Sequence, residues 1–210
     1  MDLTREMPDS DYDRFSWALD QTAVVLNDYT GDTQGTVPQF LLHLLYDSYR
    51  TAHAAKVLID FGYVDPRVPA DAVELLARKM VEAAILCRYV RKHASDEIVD
   101  RFLRTYNTEW EKAWQLPPAS GFLPTRPAKN LPPYRTMAED VRGDIYDLYR
   151  KLSYFGHPRG ALPYCVEEAR SGLSRREFFR RRIRAILPVL VDLLVILTSN
   201  FRESQDQASS

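Results

Sequence analysis

Residues that could take part in chemistry line one face of a predicted helix in the last third of the chain. In the segment YDLYRKLSYFGHPRG, residues 146–160, Arg150, Ser153 and His157 recur at helical spacing. Because seven residues make nearly two helical turns, Arg150 and His157 lie on one face, with Ser153 between them. At the end of a helix the imidazole can be exposed and can titrate near neutral pH. The three residues are either a reactive cluster or the polar end of a packed bundle.

Two tyrosines extend this polar row. Tyr146 comes one turn before Arg150, and Tyr149 comes one turn before Ser153. The apolar pattern of the same helix is carried by other positions, namely Ile145, Leu148, Leu152 and Phe155. The pattern therefore predicts a separate polar stripe at or beside the edge of the core.

A second polar feature lies in a segment that is apolar on nearly all sides, residues 70–93. Arg78 and Glu82 are four residues apart there. A charged pair in apolar surroundings must be mutually compensated or meet further polar partners. The row of Tyr146, Arg150, Ser153 and His157 is the best available partner. The alternative is that the pair only fixes helix register, and that the Ser153 hydroxyl only bonds its own backbone.

The elements that position these residues are predicted to be helices throughout, since no period-2 run marks a strand. The sequence indicates an all-α fold, a single bundle of five to seven helices. Gly62 is predicted to end the second helix, and Ser174 with Glu177 forms a capping box that opens the last. The helices are expected at about 11–28, 38–61, 70–93, 95–114, 136–156 and 174–202.

One domain is expected over residues 1–205, with its core at 38–203 and a disordered tail at 206–210. Residues 115–134 contain six prolines and are predicted to form a long loop. The chain of 210 residues is 45% hydrophobic with a net charge of −1, so it can form a core and does not attract nucleic acid or membranes as a whole.

The few cysteines and histidines indicate a reducing compartment and no metal site. Cys87 and Cys165 form no CxxC pair, and no histidine pair has metal-ligand spacing with a carboxylate. The acidic N-terminus lacks the apolar region of a signal peptide. We expect a cytoplasmic protein without a cofactor.

The pair of Arg150 and His157 fits the Arg-x4-6-His pattern of the HEPN superfamily. The resemblance implies a small helical bundle that acts as a metal-independent ribonuclease in antiphage defence or toxin–antitoxin systems. It also implies a homodimer in which each arginine and histidine face their copies. His157 would then be the general acid and base for attack by a ribose 2′-hydroxyl, and Arg150 would stabilise the developing charge.

The chain also resembles an uncharacterised prokaryotic all-helical family, over roughly residues 38–200. That family combines an Arg-x3-Glu helix, here Arg78 and Glu82, with a later Tyr-x2-Leu-Ser-x3-His motif. The positions of the second motif are Tyr149, Leu152, Ser153 and His157. The alternative function is a non-catalytic helical interaction or regulatory protein of a defence or toxin–antitoxin system, with a partner from the same operon; the same polar residues would then only lock helix register.

The last predicted helix begins with a basic segment that could contact RNA phosphates. Seven arginines lie between Arg170 and Arg184, and the candidates for RNA contact are Arg175, Arg176, Arg180, Arg181, Arg182 and Arg184. The alternative is pairing within the chain. Residues 185–198 are apolar but interrupted by Asp192, so no stable membrane span is expected; action on a membrane is a weaker alternative.

Overall fold

The fold is helical wherever the structure describes it. In the computed structural model the described residues are 10–29, 36–65, 70–93, 99, 132–141, 143–155 and 161–208. Within these ranges every regular element is an α-helix, which confirms the predicted all-α class. The predicted helix at 95–114, apart from the buried Val99, and most of the proline-rich loop lie outside the described residues.

Seven helices account for the described chain, as the predicted range of five to seven allows. They are α1 (Asp11–Asp28), α2 (Thr36–Val64), α3 (Ala70–His93), α4 (Tyr134–Val141), α5 (Gly143–Phe155), α6 (Ala161–Ser171) and α7 (Arg175–Ala208).

Helix α3 is central because it is apolar around most of its circumference. It contacts α2 and α7 as well as α4 and α5. Six of its residues are completely buried, namely Val73, Ala77, Met80, Val81, Ala84 and Ile85. Helix α7 supplies much of the remaining core and contacts α1, α2, α3 and α6. The polar residues of α3 are therefore held against α4 and α5, the helices that carry the predicted polar row.

The capping box predicted for the last helix is present. The backbone N–H of Glu177 donates to Ser174 Oγ at 3.3 Å, and the backbone N–H of Ser174 donates to Glu177 Oε2 at 3.0 Å. These reciprocal bonds satisfy two N–H groups that a helix start leaves unpaired. The helix continues through Pro188 to Ala208, so it includes three of the five residues expected in a disordered tail.

Two other helix boundaries differ from the predicted ones. The single helix expected at 136–156 is two helices, α4 and α5. Helix α6 lies between the two last predicted helices, where none was expected. Neither segment has a strong start signal in the sequence.

Gly62 does not end α2, and that prediction is wrong. The helix continues to Val64, and Gly62 is buried within it. A Cβ at this position would lie 2.0 Å from Cζ of the Phe179 ring, which is itself 2% exposed. Glycine is present here because α7 approaches α2 so closely that the ring occupies the space of a side chain.

We expect Gly62→Ala to lower the free energy of unfolding by about 1–3 kcal/mol, because the methyl group overpacks a dense interior. The higher helix propensity of alanine offsets part of this loss. Urea unfolding monitored by circular dichroism measures the net change in the free energy of unfolding. In a Phe179→Leu background the same substitution should cost less; an equal cost in both backgrounds would contradict the proposed contact.

Candidate functional site

The polar pair of α3 lies against the tyrosine row of α5. Arg78 Nε donates to Glu82 Oε1 at 3.2 Å, and the two side chains are 21% and 26% exposed. The guanidinium carbon of Arg78 lies 5.6 Å from the ring centroid of Tyr149. The structure thus brings together the Arg-x3-Glu motif and a residue of the later motif, through a cation–π contact.

The surroundings of this pair are poorly hydrated. Desolvation by burial raises the pKa of Glu82, although Arg78 opposes the shift through its charge and hydrogen bond. Burial also raises the pKa of the Tyr134 phenol to about 12, helped by the charge of Glu82 and by Tyr149. The phenol of Tyr134 therefore stays protonated at neutral pH, and its ring packs as an apolar group that carries one polar hydroxyl.

Three tyrosine rings lie in a row between the half-buried Arg78–Glu82 pair and the protein surface. The centroid of Tyr149 lies 6.1 Å from that of Tyr134 and 6.4 Å from that of Tyr146. The rings of Tyr146 and Tyr149 are stacked at 26°. Sequence reasoning missed Tyr134, because it assigned this residue to the end of the proline-rich loop.

The hydroxyl of Ser153 is buried, and it has no hydrogen-bond partner in the described part of the chain. The backbone bond expected of a helical serine is thus not observed, and Ser153 has no described polar link to Arg78 or Glu82. A buried hydroxyl without a partner costs free energy.

Replacing Ser153 with alanine should therefore leave the free energy of unfolding unchanged or raise it by up to about 1 kcal/mol. The reason is that alanine removes a desolvated hydroxyl and keeps the packing of Cβ. Thermal melting compared with the wild type measures the effect. A loss of more than about 1 kcal/mol would mean that the hydroxyl has a partner that stabilises the fold.

Arg150 has different surroundings from the rest of the row. Its side chain is exposed, and its guanidinium carbon lies 6.0 Å from the ring centroid of Tyr146. Among the described residues it has no acidic or hydrogen-bonded partner. His157 lies outside the described residues, so the structure places only the arginine of the Arg-x6-His motif.

A further arginine, missed by sequence reasoning, joins the exposed edge of the site. The guanidinium carbon of Arg135, on α4, lies 5.6 Å from the ring centroid of Tyr146. Its Nε donates to Glu139 Oε1 at 2.9 Å. No sequence spacing relates Arg135 to Tyr146, since they are on different helices and only the α4–α5 packing brings them together.

The arginine-rich start of α7 is partly engaged within the chain. Arg182 donates from Nε and Nη2 to both carboxylate oxygens of Glu74, at 2.7 and 2.9 Å, and Nη1 lies 3.3 Å from Glu167 Oε2. Arg175 is paired with Glu168 at 3.2 Å. These contacts tie α7 to α3 and α6, and they agree with the alternative of pairing within the chain.

The other candidates of this segment differ in their surroundings. Arg176 donates to the backbone carbonyl of Tyr63 at 2.9 Å. Arg180, Arg181 and Arg184 are exposed, whereas Phe178 and Phe179 are buried. The exposed arginines are available to an anion, and the two phenylalanines are core residues rather than a stacking surface.

Metal binding and nucleophilic attack by a cysteine have little support in the described residues. No group of three histidine, cysteine or acidic side chains there could hold a metal ion. Burial raises the pKa of the Cys87 thiol to about 12, so it is not a nucleophile at neutral pH.

Helix α7 is long and apolar enough over Arg175–Gln205 to cross a membrane by length and composition, but half of its most apolar window is buried in the bundle. The core helix of a soluble bundle has the same property.

No protein-family model matches the chain, and no curated protein or solved structure matches it. Fold and site together define the class: a bundle that is all-helical over its described residues, in which a half-buried Arg–Glu pair packs against partly buried tyrosines and exposed arginines lie at the edge.

Proposed function

We propose that this protein is a HEPN-like endoribonuclease that acts without a metal ion, as a cytoplasmic effector in prokaryotic defence or a toxin–antitoxin system. One observation carries the proposal. Arg150 is exposed on α5 and has no acidic partner among the described residues, whereas Arg78 is held by Glu82. A guanidinium that no described carboxylate neutralises is available to a phosphodiester.

The exposed and half-buried arginines have different roles in this proposal. Arg150 donates to the nonbridging phosphate oxygens and stabilises the charge that develops on them. Arg78 and Glu82 position α5 by holding the ring of Tyr149, which stacks on Tyr146. Arg150 contacts the ring of Tyr146 in turn. The half-buried cluster thus fixes the helix on which the reactive arginine lies.

The reaction is a transesterification within the RNA strand. Neutral His157 removes the proton of a ribose 2′-hydroxyl, whose oxygen attacks the adjacent phosphorus. The bond to the 5′-oxygen of the next nucleotide breaks, and a protonated imidazole from the second copy of a homodimer gives that oxygen its proton. The products are a 2′,3′-cyclic phosphate and a 5′-hydroxyl.

Incubation of the wild-type protein with single-stranded RNA in the presence of a chelator tests this function. The proposal expects fragments to accumulate with time, since no step requires a metal ion. RNA that stays intact with and without added divalent cations would overturn it. The protein is first confirmed to be folded by its circular dichroism.

The second candidate is a non-catalytic interaction or regulatory protein, and the outward face of α2 favours it. Val57, Phe61 and Val64 lie on one side of this helix and are 50%, 63% and 80% exposed. A cluster of exposed apolar side chains is typical of a surface that contacts another protein. Intact RNA would support this candidate over the nuclease, and loss of a protein contact in Phe61→Glu would assign that contact to the outward face of α2.

A further inference from the structure

Two guanidinium groups share one aromatic ring at the exposed edge of α4 and α5. Those of Arg135 and Arg150 have their central carbons 5.6 and 6.0 Å from the ring centroid of Tyr146. The arginines come from different helices, so the packing of α4 against α5 fixes their spacing. Contact with a ring limits the orientations of each guanidinium before any ligand arrives.

The charge of this pair is only partly neutralised within the described residues. Glu139 is paired with Arg135, and both side chains are exposed, at 50% and 70%. Asp147, next to Tyr146 in sequence, forms no ion pair with either arginine. Lys151 is exposed and follows Arg150 directly. Two like charges held beside one ring repel each other, and a bound anion relieves that repulsion.

We infer that Arg135, Tyr146 and Arg150 form a binding platform for the phosphodiester backbone of a single-stranded nucleic acid. Arg135 is the second phosphate-binding residue beside Arg150, and Tyr146 is a positioning residue for both. The inference deepens the proposed function, on which it rests for the choice of RNA as the ligand. A single strand fits because it exposes both phosphates and bases, and guanidinium planes stack on unpaired bases.

Fluorescence anisotropy with a labelled, unstructured oligoribonucleotide tests the platform. The binding series is made in a His157→Ala background, so that the probe stays intact. We expect Arg135→Gln to weaken binding and to reduce the slope of log affinity against log salt by about one, as for loss of one phosphate contact. Tyr146→Leu should weaken binding about two- to fivefold, and Tyr146→Phe should restore it because it keeps the ring.

The chain offers a matched control on another helix. Arg50 lies 5.9 Å from the ring centroid of Tyr46, which is 53% exposed, so this pair has the same chemistry outside the platform. Tyr46→Leu should leave RNA binding unchanged. An equal loss in Tyr46→Leu and Tyr146→Leu, or an unchanged salt slope in Arg135→Gln, would overturn the inference.

Competition experiments identify the ligand, and comparing binding with cleavage tests the platform separately from the nuclease activity. Single-stranded DNA of the same sequence and duplex RNA serve as competitors, and single-stranded RNA should compete best. Preference for the duplex, or an effect of the variants on DNA alone, would contradict an RNA platform. Binding that responds to these variants in a protein that never cleaves RNA would support the platform and reject the nuclease. If Arg135→Gln and Tyr146→Leu cleave RNA at the wild-type rate, the result would support the nuclease and reject the platform.

Discussion

Replacing Arg182 with methionine is expected to lower the free energy of unfolding by about 3–5 kcal/mol. The reason is that Glu74, whose side chain is only 5% exposed, would lose both hydrogen bonds to Arg182 and keep a buried carboxylate. Desolvation already raises the pKa of Glu74 despite Arg182. The measurement is urea unfolding at constant protein concentration, followed by circular dichroism.

Arg181→Met is the matched control, because Arg181 is exposed on the same turn of α7. It should change the free energy of unfolding by less than about 0.5 kcal/mol. Replacing Glu74 and Arg182 together with methionine should recover most of the loss, since no unpaired charge remains. Equal stability of Arg182→Met and Arg181→Met would show that the Glu74–Arg182 ion pair does not hold α3 and α7 together.

The second large effect is expected on RNA cleavage. His157→Ala and Arg150→Ala should each lower the rate of cleavage by about 10²–10⁴-fold, because each removes a proton-transfer group or a stabiliser of transition-state charge. The melting temperature of Arg150→Ala should stay close to that of the wild type, since the side chain is exposed and has no described ion pair. Single-turnover cleavage with excess protein measures the chemical step.

Two variants distinguish chemistry from general electrostatics. Arg150→Lys keeps the charge but not the planar fork of donors, so it should recover only part of the activity. Arg50→Ala removes an exposed positive charge on α2, outside the candidate RNA-contact residues, and should cleave at the wild-type rate. If Arg50→Ala and Arg150→Ala lose equal activity, Arg150 has no special role and the assignment fails.

Much of the fold could be predicted, because helix periodicity and caps are local properties of the sequence. The bounds predicted for α1 and α3 coincide with those observed, and the capping box at Ser174 is present. The error at Gly62 has a nonlocal cause. A glycine near a helix end usually marks a stop, but here it makes room for Phe179 on a helix more than a hundred residues later.

The site was predictable along one helix and not between helices. Spacing offered the row of Tyr146, Arg150, Ser153 and His157 as the polar partner of the Arg78–Glu82 pair. The described contact of Arg78 is instead with the ring of Tyr149, on the same helix as that row. Spacing could not separate the exposed Arg150 from the buried hydroxyl of Ser153, since both lie in one row. Arg135 gave no signal, because its relation to Tyr146 depends on how α4 packs on α5.

The most direct test of the central claim, that a ribose 2′-hydroxyl attacks a phosphodiester held by Arg150, is the chemistry of the product ends. The wild-type protein is incubated under chelation with an oligoribonucleotide and with the same sequence carrying 2′-O-methyl groups, and the products are analysed by mass spectrometry. We predict 2′,3′-cyclic phosphate and 5′-hydroxyl ends from the first substrate and no cleavage of the second. Cleavage of the methylated strand, or an intact ribonucleotide strand, would contradict the account.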